Sequence, residues 1–359
     1  MKKTWTILLA FALVVILTAG CGNTANENGT QSETSNNTAN GAGNGGNNEA
    51  QSENQEEQSL KEVTVMLDWT PNTNHTGMYV AQSNGYYEEE GLDVTIISAG
   101  ETGVETAVAA GNVQFGVSYQ ENVTVARTSE SPIPIVSIAA VIQHNTSGFA
   151  SPADKGITSP TDFEGKVYGG WGSPSEIATI QSVMEADGAD YEQLTVLDTG
   201  YTEFFTAVEK DIDFGWIYYG WDGVQAELKD VPLNMIYLRD LSEKLDYYTP
   251  VLIASERMIE EDADTVKAFM AATSKGYAYA IEQPEEAANI LLNAEPDLDS
   301  ELVKASQIWL ADQYQAEAPR WGEQKLEVWE NYAGWMLEHE LLEQELDAEQ
   351  AFTNEFLPQ

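Results

Sequence analysis

Cysteine occurs once in 359 residues, at Cys21. An internal disulfide and a cysteine-built metal site are therefore excluded. Histidine is nearly as scarce: His75, His144 and His339 are scattered, without a His-Glu-x-x-His run. A Gly-x-Ser-x-Gly nucleophile elbow is missing, and so is a P-loop lysine. Basic residues number 16 against 59 acidic ones, a formal charge of −43. Such a surface repels nucleic acid and anionic headgroups, so no nucleic-acid partner is expected. In so acidic a chain paired carboxylates are too common to indicate hydrolysis. No catalytic residue, no metal and no cofactor are expected. Long apolar runs are also lacking, except for one at the beginning.

That run, "WTILLAFALVVIL", follows Lys2 and Lys3 and closes on "LTAGC" at residues 17–21. It is short for a membrane span. A basic start, an apolar stretch and small residues before a cysteine resemble a bacterial lipoprotein signal. The reading is a signal peptide over 1–20 and lipidation at Cys21. Residues 22–59 hold no aliphatic side chain larger than alanine, no aromatic and no Lys or Arg. Such a segment cannot bury enough apolar surface to offset its conformational entropy, so 21–59 reads as a lipidated cysteine and a disordered tether. The expected location is the outer face of the cell membrane, held there by the lipid anchor.

The remaining 300 residues have globular composition and carry 14 basic against 53 acidic side chains. From Val63 onward, short apolar segments ("VTVML", "DVTII", "VQFGVS") alternate with helical ones, the pattern of parallel βαβ units. The alternation starts afresh after "IPIVSIAAVIQ", with a strand at Lys166–Gly169 and a helix at Ser175–Ala186. After "DYYTPVLIAS" the chain turns helical. Asp264–Ile281 lines up Val266, Phe269, Thr273, Tyr277 and Ala280 on one face, and Glu323–Leu342 does the same with Leu326, Trp329, Tyr332 and Met336. The fold class read from this is α/β: two lobes, each a mostly parallel sheet flanked by helices, joined by two hinge crossings near residues 135–143 and 248–254. One lobe would comprise 60–145 and 249–359, the other 146–248. A cleft between such lobes suits a small ligand, and closure about the hinges is the expected motion.

Three clusters fall where α/β sheets bind ligands, beyond the carboxyl ends of strands. The first is "LDWTPNTNH". Asp68 would accept from an amino group or ring N–H, Trp69 would stack on a flat ring, and Asn72 and His75 would add polar contacts. The plainer alternative is that Asn74 caps a helix, Trp69 is core and His75 is solvated. The second is "YGGWGSPSE", where Trp171, Gly172 and Ser173 precede a helix start whose N–H groups attract an anion or a polar tip. Simple capping by Ser173, with Glu176 three residues on, explains the same letters. The third is "FGWIYYGWDG", where Tyr219, Trp221 and Asp222 follow a strand and would sit on the cleft rim. Ser118, Tyr119 and Glu121 hold the matching place in the first lobe. Tyr201 and Glu203 open a helix, and Glu203 is either a cleft acid or a partner of the helix dipole. The late tryptophans Trp309, Trp321, Trp329 and Trp335 fall at helical spacings and read as core.

Taken together, "LDWTPNTNHTGMYVAQSNGYYEEEGLDV", "GSPSE", "GWDGVQAELK", "DYYTPVLIAS" and "KGYAYAIEQPEEAANILL" resemble the thiamine-pyrimidine branch of the nitrate/taurate-like solute-binding proteins of ABC transporters, over about residues 61–340. The resemblance implies a type II periplasmic-binding fold with two crossings and an acid–Trp pair in the cleft at Asp68 and Trp69. The implied ligand is a formylated or hydroxymethylated aminopyrimidine, handed as cargo to a membrane permease and its ATPase by a monomeric carrier. Other aromatic or sulfonated nutrients, such as a flavin precursor or an alkanesulfonate, are the alternative within that class, although a sulfonate calls for Arg or Lys that the cleft segments hardly supply. The group also includes a fungal pyrimidine-making enzyme, marked by a cysteine-rich run and a lysine. The corresponding places here read "DYYTP" and Ser118, which argues against that chemistry.

Overall fold

The computed structural model describes residues 59–100, 102–200 and 203–359. Cys21, the tether and Tyr201 lie outside them. Ten strands follow in chain order: β1 (Lys61–Met66), β2 (Leu92–Ile97), β3 (Phe115–Ser118), β4 (Ile135–Ala140), β5 (Ser147–Pro152), β6 (Val167–Gly170), β7 (Thr195–Asp198), β8 (Phe214–Tyr218), β9 (Leu233–Tyr237) and β10 (Val251–Ser255). They build two five-stranded sheets, ordered β2-β1-β3-β10-β4 and β7-β6-β8-β5-β9. The pairings β2-β1-β3 and β7-β6-β8 are parallel. In each sheet one reversed strand, β10 or β5, is wedged antiparallel between two others. The reason is topological. A strand that leaves a crossing starts at the hinge and runs away from it, whereas the other four run toward that edge. The carboxyl ends of eight strands therefore converge on the gap between the lobes.

β5 has no counterpart in the apolar pattern of the sequence, because "SGFASP" lacks the branched residues that mark strands. Small side chains are required there. A Cβ on Gly148 would lie 2.2 Å from the Ile236 carbonyl oxygen and 2.8 Å from the Tyr237 Cα. The first helix is interrupted by a glycine. It spans Thr76–Ser83, breaks at Gly85 (φ 72°) and resumes at Tyr86–Glu89.

The helix Ala263–Glu282 covers the first sheet and buries the five positions its spacing predicts: Val266, Phe269, Thr273, Tyr277 and Ala280. Phe269 stacks on Phe115 at 3.9 Å between ring centres, and Tyr277 on Trp321 at 4.1 Å. Each such ring, fully buried, contributes about 1.5–3 kcal/mol. The helix Leu326–Glu338 serves both cores. Trp329 packs among side chains of the first sheet's cluster, whereas Tyr332, Trp335 and Met336 join Phe149, Phe163 and Phe214 beneath the second. Trp321, Trp329 and Trp335 are buried, as their spacing suggests.

Candidate functional site

The loop that leaves β1 carries Asp68 to the cleft edge, where the side chain is nearly buried. Asn72, not Asn74, makes the cap. Its side chain accepts from the Asn74 N–H at 2.9 Å, and its own N–H donates to His75 Nδ1 at 3.2 Å. Because Nδ1 accepts, the ring proton sits on Nε2, which donates to Asp68 Oδ1 at 2.7 Å. The other carboxylate oxygen accepts from the Tyr119 hydroxyl at 2.6 Å. Burial alone would raise the Asp68 pKa, but these bonds outweigh it and hold the group below the ordinary carboxylate value. Asp68 is thus a buried carboxylate already gripped by its own chain, and His75 is fully buried with both ring nitrogens engaged. Neither is an open contact for a ligand in this structure. They stiffen the turn that presents Trp69, which is 49% exposed.

The glycine turn after β6 is occupied from within. Glu176 is buried and accepts from the Gly172 N–H at 2.7 Å, the Trp171 N–H at 3.1 Å and the Tyr168 hydroxyl at 2.6 Å. The anion that such a helix start attracts is the protein's own. Glycine is needed at Gly170, where a Cβ would lie 2.0 Å from the Glu176 carboxylate. Ser173 is the N-cap, accepting from the Glu176 N–H at 3.2 Å. Trp171 is lifted out of this turn, 38% exposed, with its ring 5.5 Å from that of Trp216.

Sequence reasoning missed Tyr218, the third exposed aromatic, at 40%. The β8 alternation concealed it: Tyr218 shares a face with core Phe214 and half-buried Trp216, yet it ends the strand at the cleft. Thr249 of the second crossing hydrogen-bonds its hydroxyl, and Asp68 and Glu121 lie close enough to act on its charge. The ring keeps its exposure, but enclosure of the hydroxyl end, followed by these acids, pushes the phenol up to about 12.

Other residues singled out above have different duties. Ser118 is buried and donates to Glu105 at 2.5 Å. Glu121 bridges the lobes, accepting from Ser175 at 2.6 Å and from Tyr332 at 3.1 Å. Glu203 is the N-cap of its helix, accepting from the Thr206 N–H at 2.8 Å, and lies 3.9 Å from the Lys229 ammonium. Tyr219 donates to Glu227 and rests its ring 5.2 Å from Trp309. Trp221 packs beside Tyr79 and Leu291. The segment Tyr219–Gly223 thus lies against the helix Ser300–Gln315, where the Ser306 hydroxyl donates to the Gly220 carbonyl and meets Thr73 at 2.6 Å. These residues form an inter-lobe contact in place of an open rim. Burial, with Glu203 nearby, pushes Asp222 up to about 6.

What remains at the strand ends is three exposed aromatic side chains, Trp69, Trp171 and Tyr218, and the buried carboxylate of Asp68. The ion pairs of Lys155, Lys244 and Lys325 go to other acids, and that of Lys229 goes to Glu203. Among the described residues, no group of three or more His, Cys, Asp or Glu is arranged to hold a metal. A separate recess of about 440 Å³ opens between the helices Gln120–Thr128 and Pro174–Ala186, lined by Glu105, Glu121, Val125, Ser175 and Met336.

Residues 72–287 match the family model described as NMT1/THI5 like. The formylaminopyrimidine-binding protein of Halalkalibacterium halodurans is 32% identical over 311 residues, covering 83% of this chain and 91% of that protein. The 4-amino-5-hydroxymethyl-2-methylpyrimidine phosphate synthase of Legionella pneumophila is 26% identical over 84% of this chain and 94% of its own length. Among solved structures, the alkanesulfonate-binding protein SsuA from Xanthomonas axonopodis pv. citri, bound to MOPS, superposes with a TM-score of 0.62 at 13% identity, over 82% of this chain and 99% of that one.

Proposed function

Because the chain belongs to the NMT1/THI5-like family, we propose that it is the solute-binding component of an ABC importer, and that its cargo is a thiamine pyrimidine precursor of the formylamino- or hydroxymethyl-pyrimidine type. The observation that carries this reading is the set of three exposed aromatic side chains at the strand ends, on segments that hold no Lys or Arg. Indole and phenol faces hold a flat heterocycle. The negative field of Asp68 favours amino groups and ring N–H over anions. The same chemistry disfavours a sulfonate, and the relative that binds formylaminopyrimidine supports the choice of ring. The carrier acts by stoichiometric capture, without turnover, and passes its cargo to the permease. The two lobes close on it, with the helix Leu326–Glu338 packed against both. A lipid on Cys21 and the tether would keep it at the outer membrane face.

The test is native mass spectrometry of the purified chain for a retained ligand, followed by calorimetry with formylaminopyrimidine and hydroxymethylpyrimidine. One-to-one binding without product formation is expected. In Trp69→Ala, the lost stacking and buried area weaken binding by about 2–4 kcal/mol, roughly 30- to 1000-fold. The melting temperature of the empty protein should barely move. Unchanged affinity, or a large loss of stability, would remove Trp69 from the site. Conversion of either pyrimidine would replace the carrier with an enzyme.

A further inference from the structure

The two crossings meet at a histidine that the ligand does not need. His144 lies in the first crossing, between β4 and β5. Its Nδ1 is 2.6 Å from Asp246 Oδ2 in the second crossing, and its Nε2 is 2.8 Å from Glu317 Oε2, just beyond the helix Ser300–Gln315. Neighbouring bonds lace the same region. The Asn145 N–H donates to Asp246 Oδ1 at 2.8 Å, the Asn145 amide to the Leu245 carbonyl at 2.9 Å, and the Val141 N–H to the Pro250 carbonyl at 3.0 Å. Gln143 reaches the Glu323 carbonyl at 3.0 Å.

The geometry dictates a protonation state. A neutral imidazole has one N–H and one lone pair, and an ionised carboxylate only accepts. With a carboxylate at each nitrogen, one contact would set lone pair against lone pair unless both nitrogens carry protons. We propose that His144 is a charge-dependent brace of the hinge: as the imidazolium it ties both crossings to the Glu317 segment, and loss of its proton on the alkaline side of neutrality releases one tie and lets the lobes separate more freely.

The charged and titratable surroundings agree. Asp246 faces the ring from the second crossing and Glu317 from the first lobe. Lys325 pairs with the other oxygen of Glu317 at 3.1 Å, Arg320 engages Glu323 at 2.6 Å, and the Tyr248 phenol stands by Asp246 and Glu317. The Asp246 bond, partly opposed by burial and reinforced by Glu317, pushes the ring up to about 9. Its bond to His144, together with a backbone bond and Lys325, holds Glu317 down at about 2. A histidine whose folded pKa is raised contributes stability that is complete below its ordinary value of about 6.5 and is lost as pH rises through about 9.

Two measurements on the full chain test the brace. Nitrogen NMR of the His144 ring should show both nitrogens protonated at pH 7.5, and Asp246→Asn should move its titration toward the ordinary histidine value. Amide hydrogen exchange, corrected for the intrinsic pH dependence, should show protection in residues 141–150 and 246–250 falling about tenfold or more between pH 7.5 and 10. In His144→Gln those segments should already exchange at pH 7.5 as the parent does at pH 10. A singly protonated ring at pH 7.5, or protection in the parent chain that does not change up to pH 10, overturns the proposal. The ring spectrum decides the matter even where the glutamine variant folds poorly.

Discussion

Asp68 accepts two hydrogen bonds from side chains of its own lobe, one from His75 Nε2 and one from the phenol of Tyr119. Its carboxylate is therefore held in place at the cleft edge, and its field reaches whatever enters there. Two substitutions separate its structural duty from its electrostatic one. In Asp68→Asn the amide oxygen can still accept from His75 while its N–H₂ donates to a turned Tyr119 hydroxyl. That variant should fold with a loss of about 1 kcal/mol or less, yet bind the pyrimidine about tenfold or more weakly. Asp68→Ala leaves both donors orphaned and should cost about 2–4 kcal/mol in chemical denaturation. Equal binding by Asp68→Asn and the parent would show that the charge does not reach the ligand. The depressed pKa also sets a sign. Stability from Asp68 is present above the usual carboxylate range and is lost as pH falls through the lowered folded value. Asp222 behaves in the opposite sense. Its pKa is raised to about 6 by burial and by Glu203, so ionising it costs stability as pH rises through about 4–6. Asp222→Asn should thus raise the melting temperature at pH 8 and leave it nearly unchanged at pH 4. A gain at pH 4 as large as that at pH 8 would contradict this account.

At the scale of the element, the glycine turn between β6 and the helix Pro174–Ala186 is filled by the chain's own carboxylate, Glu176. Its N–H groups point at a carboxylate that the next turn of helix supplies, so a phosphate finds neither free amides nor a basic side chain there. A phosphorylated hydroxymethylpyrimidine should bind at least about tenfold more weakly than the parent alcohol in calorimetry. Equal or tighter binding would mean that Glu176 gives up its place. Glu176→Ala, which strands two amides and the Tyr168 hydroxyl, should cost about 2–5 kcal/mol. The same turn shows what could be read from the letters. Apolar periodicity was enough for the long helices and for most strands, because their burial repeats every 3.6 or 2 residues. It could not reveal β5, whose small residues answer to a neighbouring backbone. It placed three clusters at strand ends, and Trp69 and Trp171 stand exposed there. It could not tell a side chain that faces the gap from one that holds up its wall. Asp68, His75, Ser118 and Glu203 are polar residues at strand ends or helix starts, yet their partners lie within the protein, and partners at a separation of 51 residues, as for Asp68 and Tyr119, leave no trace in local pattern. Tyr218 was hidden for the opposite reason: the alternation that makes a strand also accounted for it.

For the whole molecule, charge is the dominant unbalanced quantity. The body carries 53 acids against 14 bases, and its ion pairs are mostly exposed, as with Lys275–Glu89 and Lys244–Glu338. Pairs of that kind contribute about 0–1 kcal/mol each. Most acids have no cationic partner, so their mutual repulsion acts over the whole surface and within each lobe. Such repulsion extends over a Debye length of roughly 30 Å at 0.01 M salt and about 3 Å at 1 M. Added salt should therefore stabilise this protein, whereas one held together by surface ion pairs would be weakened. The melting temperature of the full chain should rise by several degrees between about 0.01 M and 0.5 M sodium chloride. The inter-lobe contacts should respond in the same direction, because Glu121–Ser175 and Ser306–Gly220 draw together two bodies of like sign. Glu121→Gln keeps an acceptor for Ser175 and removes one charge from that seam, so its melting temperature should depend slightly less on salt than the parent's. A melting temperature that falls as salt is added would mean that the few ion pairs outweigh the many unpaired acids.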